Sequence, residues 1–299
     1  MLRLFTTWYD EPQPVRCEEY RLALKRNLAC PAIDEIWVMH EGGELPQDPG
    51  GKLHVRTRRG RPLYSDFFSL INEIAADDDI SIVANTDIFF DEGLRILPFL
   101  QWRFPSGRAI PGRIGGCFRI PRHAAGAKPR RPSATNDICL ALSRWDLDGD
   151  GKARLFERAD SQDAWIFRGR VRKVAADFAV GVYDCDNKIA WELEQAGYTV
   201  LNPALSVRAY HVHASGYRRY EIENQYDSGL RPPFTYVEPD NAGSFLTCCR
   251  LYRHAAMNYF PYRITGKKLC RTQPLRFLIR CCNKVKRMLG AAQENRGAR

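Results

Sequence analysis

The run Ile80-Ser81-Ile82-Val83-Ala84 leads directly into Asn85-Thr86-Asp87. Its nearly unbroken apolar content reads as a buried strand. Burying a lone carboxylate at the end of such a strand costs several kcal/mol. Asp87 therefore needs a partner, and a divalent cation is the natural one. The bland alternative is an N-cap for the segment that follows, a role that Asp91 would fill before Glu92.

A second acidic pattern is DLDGDGKARLFE, residues 146–157. It satisfies D-x-[DN]-x-[DN]-G-x5-E, the calcium loop of EF-hands, with Asp146, Asp148 and Asp150 at the odd positions, Gly151 at the turn and Glu157 last. Only one copy is present, the preceding DICLALSRW alternates like a strand, and Ala153 holds the position that paired loops commonly give to a β-branched residue. The loop is therefore expected to be a turn before Asp163; a Ca²⁺ bound there would brace the approach to Asp163 rather than perform the reaction. Near the end of the body, YHVHA puts His211 and His213 on one face if the segment is extended.

The elements that must position these residues follow from hydrophobic period. Strands are expected at 2–8, 33–40, 52–57 and 80–85, with helices at 14–29 and 64–76 between them. In the first helix, Tyr20, Leu22, Leu24 and Leu28 supply much of the apolar face. Residues 103–135 are rich in Arg, Gly and Pro and read as a loop, suited to closing over a ligand. Strand-like segments follow at 136–145 and 161–167, then a helix at 185–197 and two extended runs to 213. Alternation of this kind indicates an α/β domain with a predominantly parallel, Rossmann-like sheet flanked by helices. Ligands of such sheets bind beyond the carboxyl ends of the strands, where Asp87 lies.

The stretch FFSLINEIAADDDISIVANTDIFFD resembles the nucleotide-sugar-binding half of GT-A glycosyltransferases, in which an Asn-bearing helix precedes a strand ending in D-x-D. The likeness covers roughly residues 1–215, with a donor half at 1–100 and an acceptor half at 136–215. Asn85 replaces the first acid of D-x-D. The resemblance implies donor contacts from Thr6, Asp10, Arg61, Asn72, Asn85 and Asp87. It also implies Mn²⁺ or Mg²⁺ at Asp87, with a further ligand from a late histidine, His211 or His213. The alternative for the histidines is a pair on a surface strand.

Sugar transfer also needs a base for the acceptor hydroxyl. DSQDAWIF offers Asp160 and Asp163, and YDCDN offers Asp184 and Asp186. Asp163 is preferred because it precedes an apolar, aromatic segment that would desolvate it. Asp186 is the second catalytic candidate or a helix cap, Trp165 a stacking platform for a sugar, and Asp184 and Asn187 contacts to the acceptor.

The formal charge of +10 resides in the tail: residues 250–299 carry 13 Lys and Arg against the single acid Glu294. A basic charge confined to an appendage argues against nucleic acid as the partner. From Pro274 onward, helical spacing gathers Leu275, Leu278, Cys282, Val285 and Leu289 on one face. The expectation for 262–290, within an extension running 216–299, is a basic amphipathic helix on an anionic membrane surface, or else one docked on the body. The ten cysteines show neither C-x-x-C pairs nor zinc spacing, and no apolar run approaches a bilayer span. Reduced thiols in a cytoplasmic enzyme, peripheral on the inner membrane face, are expected.

The function expected is metal-assisted transfer of a sugar from a nucleoside diphosphate-sugar to a glycan acceptor, lipid-linked or surface polysaccharide. Two rivals remain. A nucleotidyltransferase would use the same acidic turn but commonly carries a Gly-rich, Lys-bearing loop after the first strand, and TTWYDEPQP has neither residue. A calcium-dependent binding protein would make residues 146–157 its centre.

Overall fold

The computed structural model describes residues 1–100, 102, 136–148, 150–213, 215–216 and 228–240. The main sheet has seven strands in the order β10-β6-β9-β4-β1-β2-β3. In chain order these are β1 (Leu2–Trp8), β2 (Glu35–His40), β3 (Leu53–Thr57), β4 (Ile80–Ala84), β6 (Ile138–Leu142), β9 (Ala164–Arg168) and β10 (Thr199–Leu201). All neighbours run parallel except β9, which is antiparallel to both β4 and β6. The expected mixed α/β class with a mostly parallel sheet is therefore the one observed.

A second sheet has the order β5-β11-β7-β8, from β5 (Ile88–Phe89), β7 (Arg144–Leu147), β8 (Ala153–Leu155) and β11 (Ala209–His211). Three helices accompany the sheets: α1 (Pro14–Ala29), α2 (Tyr64–Ile74) and α3 (Cys185–Gln195). Pro14 at the start of α1 loses no hydrogen bond there and presets the helical φ. In α2 the Asp66 carboxylate reaches back to accept from the Leu63 N–H at 2.6 Å. Phe67, Phe68 and Ile71 of α2 and Ile189 and Leu193 of α3 share one core cluster with Val83, Trp165 and Phe167 of the sheet. Helix α1 instead joins the second sheet through Ala23, packed with Phe89 and Val212.

Two features position the site. All five residues of β4 are buried, so Asn85-Thr86-Asp87 leaves a strand with no solvent on either face. Because β9 is antiparallel, its start lies beside the end of β4, with Ala84 opposite Ala164. That register sets Asp163 next to Asn85.

The chain divides into two units, Met1–Ala242 and Gly243–Arg299. The body thus runs past the boundary expected at 215: Val237 belongs to the core, and its N–H donates to Ala159 O at 2.8 Å. The loop expected at 103–135 and the basic helix expected at 262–290 lie outside the described residues. No described helix is long and apolar enough to cross a membrane.

Candidate functional site

The turn after β4 is fixed through its backbone first. Asn85 N–H donates to Asp163 O at 3.1 Å, Ile88 N–H to Asn85 O at 3.1 Å, and Val212 N–H to Asp87 O at 3.0 Å. Helix α1 braces the same turn with a stripe that a simple amphipathic reading misses. Its buried residues are Arg16, Glu19, Tyr20, Ala23, Leu24 and Asn27, whereas Leu22 is exposed. Asn27 donates to Ile88 O at 2.8 Å and accepts from Phe90 N–H at 3.0 Å, holding β5 by its backbone.

Asp87 does have the partners that its burial demands, and they are side chains. The Arg16 guanidinium contacts Asp87 Oδ2, and His211 Nε2 lies 3.1 Å from the same oxygen. His211 Nδ1 lies 2.8 Å from Asp146 Oδ1. Carboxylates only accept, so both ring nitrogens of His211 carry protons. Burial pulls the His211 pKa down, but the charges and hydrogen bonds of Asp87 and Asp146 outweigh it and hold the imidazolium up to about 9. Burial opposes ionisation of Asp87 as well, yet His211 and Arg16 bring its pKa well below the usual carboxylate range. The chain of alternating charge continues: Arg144 Nε donates to Asp146 Oδ1 at 2.9 Å, and its Nη1 to Asp163 Oδ2 at 3.3 Å. The rings of His211 and His213 stack at 5.0 Å, as expected of one strand face. Burial, Arg16 and His211 together depress the His213 pKa to about 4.

Asp163 and Asp186 meet at the other end of this chain. Asp163 is buried, with Asn85 Nδ2 donating to Oδ1 at 2.9 Å and Arg144 held on Oδ2. Each of its oxygens thus accepts a hydrogen bond from a side chain that holds it in place. Asp186, in the first turn of α3, accepts from Gln162 N–H at 3.1 Å and Asn187 N–H at 3.0 Å. Burial, then the charge of Asp163, raises its pKa to about 7. That is where a general base working near neutrality belongs. Asp163 orients the Asn85 amide and sets the charge that Asp186 feels.

Several expected site residues have other duties. Trp165 is not a sugar platform: it is buried in the core, edge-on to Tyr64 at 5.1 Å. Asn72 lies towards the carboxyl end of α2, where it exchanges two hydrogen bonds with the Val171 backbone at 2.9 and 2.7 Å. Because α2 leads back to the start of β4, Asn72 sits at the end of the sheet remote from Asp87. Arg61 uses its guanidinium to tie Val180 O and Gly181 O, each at 2.9 Å, bringing the approach to α3 against the end of β3. Thr6 is buried mid-strand and its hydroxyl has no partner among the described residues. Asp10 is exposed just past β1, against the turn at Gly43, whose φ of +82° favours glycine and where a Cβ would lie 3.3 Å from Asp10 Cα. Asp184 precedes α3 in a left-handed conformation, and Asn187 is buried with Nδ2 on Asp160 O at 3.2 Å.

Residues 146–157 form the turn expected of them, and their surroundings do not fit the rival EF-hand reading. Strands β7 and β8 flank the loop as an antiparallel hairpin where an EF-hand needs helices. Asp148 Oδ1 accepts from the N–H groups of Asp150 and Lys152 at 3.2 and 2.7 Å, closing the hairpin turn. Asp146 is drawn to His211 and Arg144, while Asp150 and Glu157 are exposed. The motif's first acid is a site residue after all, in a role its pattern does not suggest. Arg16, Glu19 and Arg144 were not anticipated. The signal for the first two was a charged pair, i and i+3, inside the buried stripe of α1.

A divalent ion implied at this turn finds only part of its ligand set. Asp87 Oδ1 is buried and has no partner among the described residues, so it suits a hard cation. Both His211 nitrogens face carboxylates, and His213 Nδ1 faces Arg16 Nη1 at 2.8 Å. Among the described residues no group of three His, Cys, Asp or Glu could hold a metal.

No protein-family model and no curated protein matches the chain. Among solved structures it is similar to the mannosyltransferase PcManGT from Pyrobaculum calidifontis in complex with GDP-Man and Mn²⁺, at 11% identity and a TM-score of 0.42, over 95% of this chain and 79% of that one. It is also similar to an active-site mutant of LgtC, at 12% identity and a TM-score of 0.31, over 88% of this chain and 94% of that one.

Proposed function

We propose that the protein is a glycosyltransferase that moves a sugar from a nucleoside diphosphate-sugar to a hydroxyl of a glycan acceptor, in the crevice beyond the carboxyl ends of β1 and β4. The observation that carries this reading is the convergence, at one strand end, of a buried carboxylate oxygen on Asp87 that has no partner among the described residues and a second carboxyl, Asp186, with its pKa raised to about 7. The two are linked through Asn85 and Asp163. Such a pair separates the two demands of the reaction: charge control at the leaving diphosphate and proton removal from the acceptor.

In the transfer, the acceptor oxygen forms its bond to the anomeric carbon as the bond from that carbon to the diphosphate oxygen breaks. Asp186 takes the hydroxyl proton. Arg144 and Asn85 hold Asp163 in place, and its charge raises the basicity of Asp186. Asp87 would hold Mn²⁺ or Mg²⁺ through Oδ1, with oxygens of the donor completing the ligand set. When bound, such an ion would neutralise charge that develops on the departing diphosphate. On its sequence, the segment 262–290 is suited to keep the enzyme at an anionic membrane surface, where a lipid-linked glycan would be met.

The test is release of nucleoside diphosphate from a panel of nucleotide sugars with a glycan acceptor mixture. Asp186→Asn is expected to bind donor like the wild type while transfer falls by roughly a hundredfold or more. An Asp186→Asn enzyme with full transfer activity would contradict the proposal.

A further inference from the structure

We infer that Arg16 is a positioning residue: by occupying Nδ1 of His213 it fixes that ring as the Nε2–H tautomer, which makes His213 a hydrogen-bond donor to an oxygen of the bound ligand and excludes it as a metal ligand. The inference rests on the proposed function only in naming that oxygen as one of the donor's diphosphate.

A guanidinium nitrogen has no lone pair to offer, so the 2.8 Å contact between Arg16 Nη1 and His213 Nδ1 requires an unprotonated Nδ1, which shares the two N–H groups of Nη1 with Glu19 Oε2 and Val212 O. A proton on Nδ1 would need another acceptor, and Glu19 Oε2 stands 4.0 Å away, beyond hydrogen-bond reach. Glu19 is occupied in any case, by Arg16 at 2.6 Å and by Ser215 N–H at 2.7 Å. Arg16 cannot turn aside easily, because its second nitrogen is held by Asp87 and Nη1 also donates to Val212 O at 3.1 Å. The proton of the neutral ring therefore sits on Nε2.

That Nε2 is buried and has no partner among the described residues. A buried N–H left unpaired is costly, and a ligand oxygen removes the cost. Asp87 Oδ1, on the residue whose other oxygen Arg16 holds, is complementary to it: an acceptor without a donor among the described residues. A diphosphate travelling with a divalent cation supplies both missing partners, an oxygen for the Nε2–H and a cation for Oδ1. Stacking on His211 at 5.0 Å keeps the ring plane fixed for that contact.

The test reads tautomer and ligand contact separately. Long-range ¹H–¹⁵N correlation spectra of the full chain with ¹⁵N-labelled histidine are expected to show His213 as the Nε2–H form. Arg16→Lys, which still donates, should keep that form, and Arg16→Gln should populate the Nδ1–H form. Adding inorganic pyrophosphate with Mg²⁺ should shift the Nε2 resonance while the proton stays on it. His213→Gln, whose amide can donate from the same place but is a poor metal ligand, should bind Mg²⁺-pyrophosphate within about twofold of wild type, and His213→Leu about tenfold more weakly. An Nδ1–H ring in the free protein overturns the inference, as does loss of the Nε2 proton on adding Mg²⁺-pyrophosphate. Equal loss of binding in the Gln and Leu variants would overturn it too. Because the tautomer is measured without ligand, its failure is distinct from failure of the transfer reading, which would show as no response to any nucleotide sugar.

Discussion

At the residue scale, Asp87 is both a site residue and a structural one. Its carboxylate is a shared counter-charge of Arg16 and His211, so its removal leaves Arg16 with Glu19 alone and His211 with Asp146 alone. Asp87→Ala is therefore expected to lose transfer and also about 3–5 kcal/mol of stability, measured by urea unfolding. A fully stable Asp87→Ala protein would show that Arg16 and His211 find other partners. Asp186 behaves in the opposite sense. Its pKa of about 7 in the folded chain lies above the ordinary carboxylate value, so the stability it contributes is full below that ordinary value. It is lost as pH rises towards 7. Asp186→Asn should accordingly melt higher than wild type at pH 8, with the gap closing towards pH 4, while wild-type transfer rises with pH through about 7. An unchanged gap between the two pH values would contradict the assignment. The sequence made Asp87 and Asp186 visible as acids at element ends. It did not reveal Arg16 and Arg144, because a charged residue in a helical stripe or a strand looks like surface until its partner is known.

At the element scale, α1 shows why its face was misread. Amphipathic reading seeks carbon-rich stripes, yet this helix buries Arg16, Glu19 and Asn27 against the turn and strand that it braces. Asn27→Ala removes both hydrogen bonds to β5 and should cost about 2 kcal/mol, with transfer falling as the turn loosens. Unchanged melting would show that β5 is held by packing alone. The strands of the main sheet and the three α-helices were legible from period, because period records which residues face a core, whereas the short β5 and β8 were not expected. Strand direction leaves no such trace. That β9 runs antiparallel, and thereby delivers Asp163 to the end of β4, is a property of the connections. The EF-hand pattern failed for a related reason: spacing fixes the order of its acids but not whether helices or strands flank them.

At the scale of the whole molecule, the end of the sheet remote from Asp87 contributes stability without touching the proposed chemistry. Gly169 follows β9 at the end remote from Asp87, with a φ of +68°, and a Cβ there would lie 2.7 Å from Asp77 O. Gly169→Ala should thus lower the melting temperature markedly and leave kcat of the folded fraction near wild type. A selective loss of kcat would mean that the two ends are coupled. Charge is divided as well, with the basic excess gathered in residues 250–299. The full chain should sediment with phosphatidylserine vesicles at low salt and be released at roughly 0.5 M salt, where screening is short-ranged. Binding insensitive to salt would contradict an electrostatic role for that segment. The most direct test of the account is a thermal-shift titration of the full chain against a panel of nucleoside diphosphate-sugars, with and without Mn²⁺. The account predicts that at least one donor raises the melting temperature, more strongly with the ion, and that Asp87→Asn loses the increment due to the ion; stabilisation by none of them would contradict it.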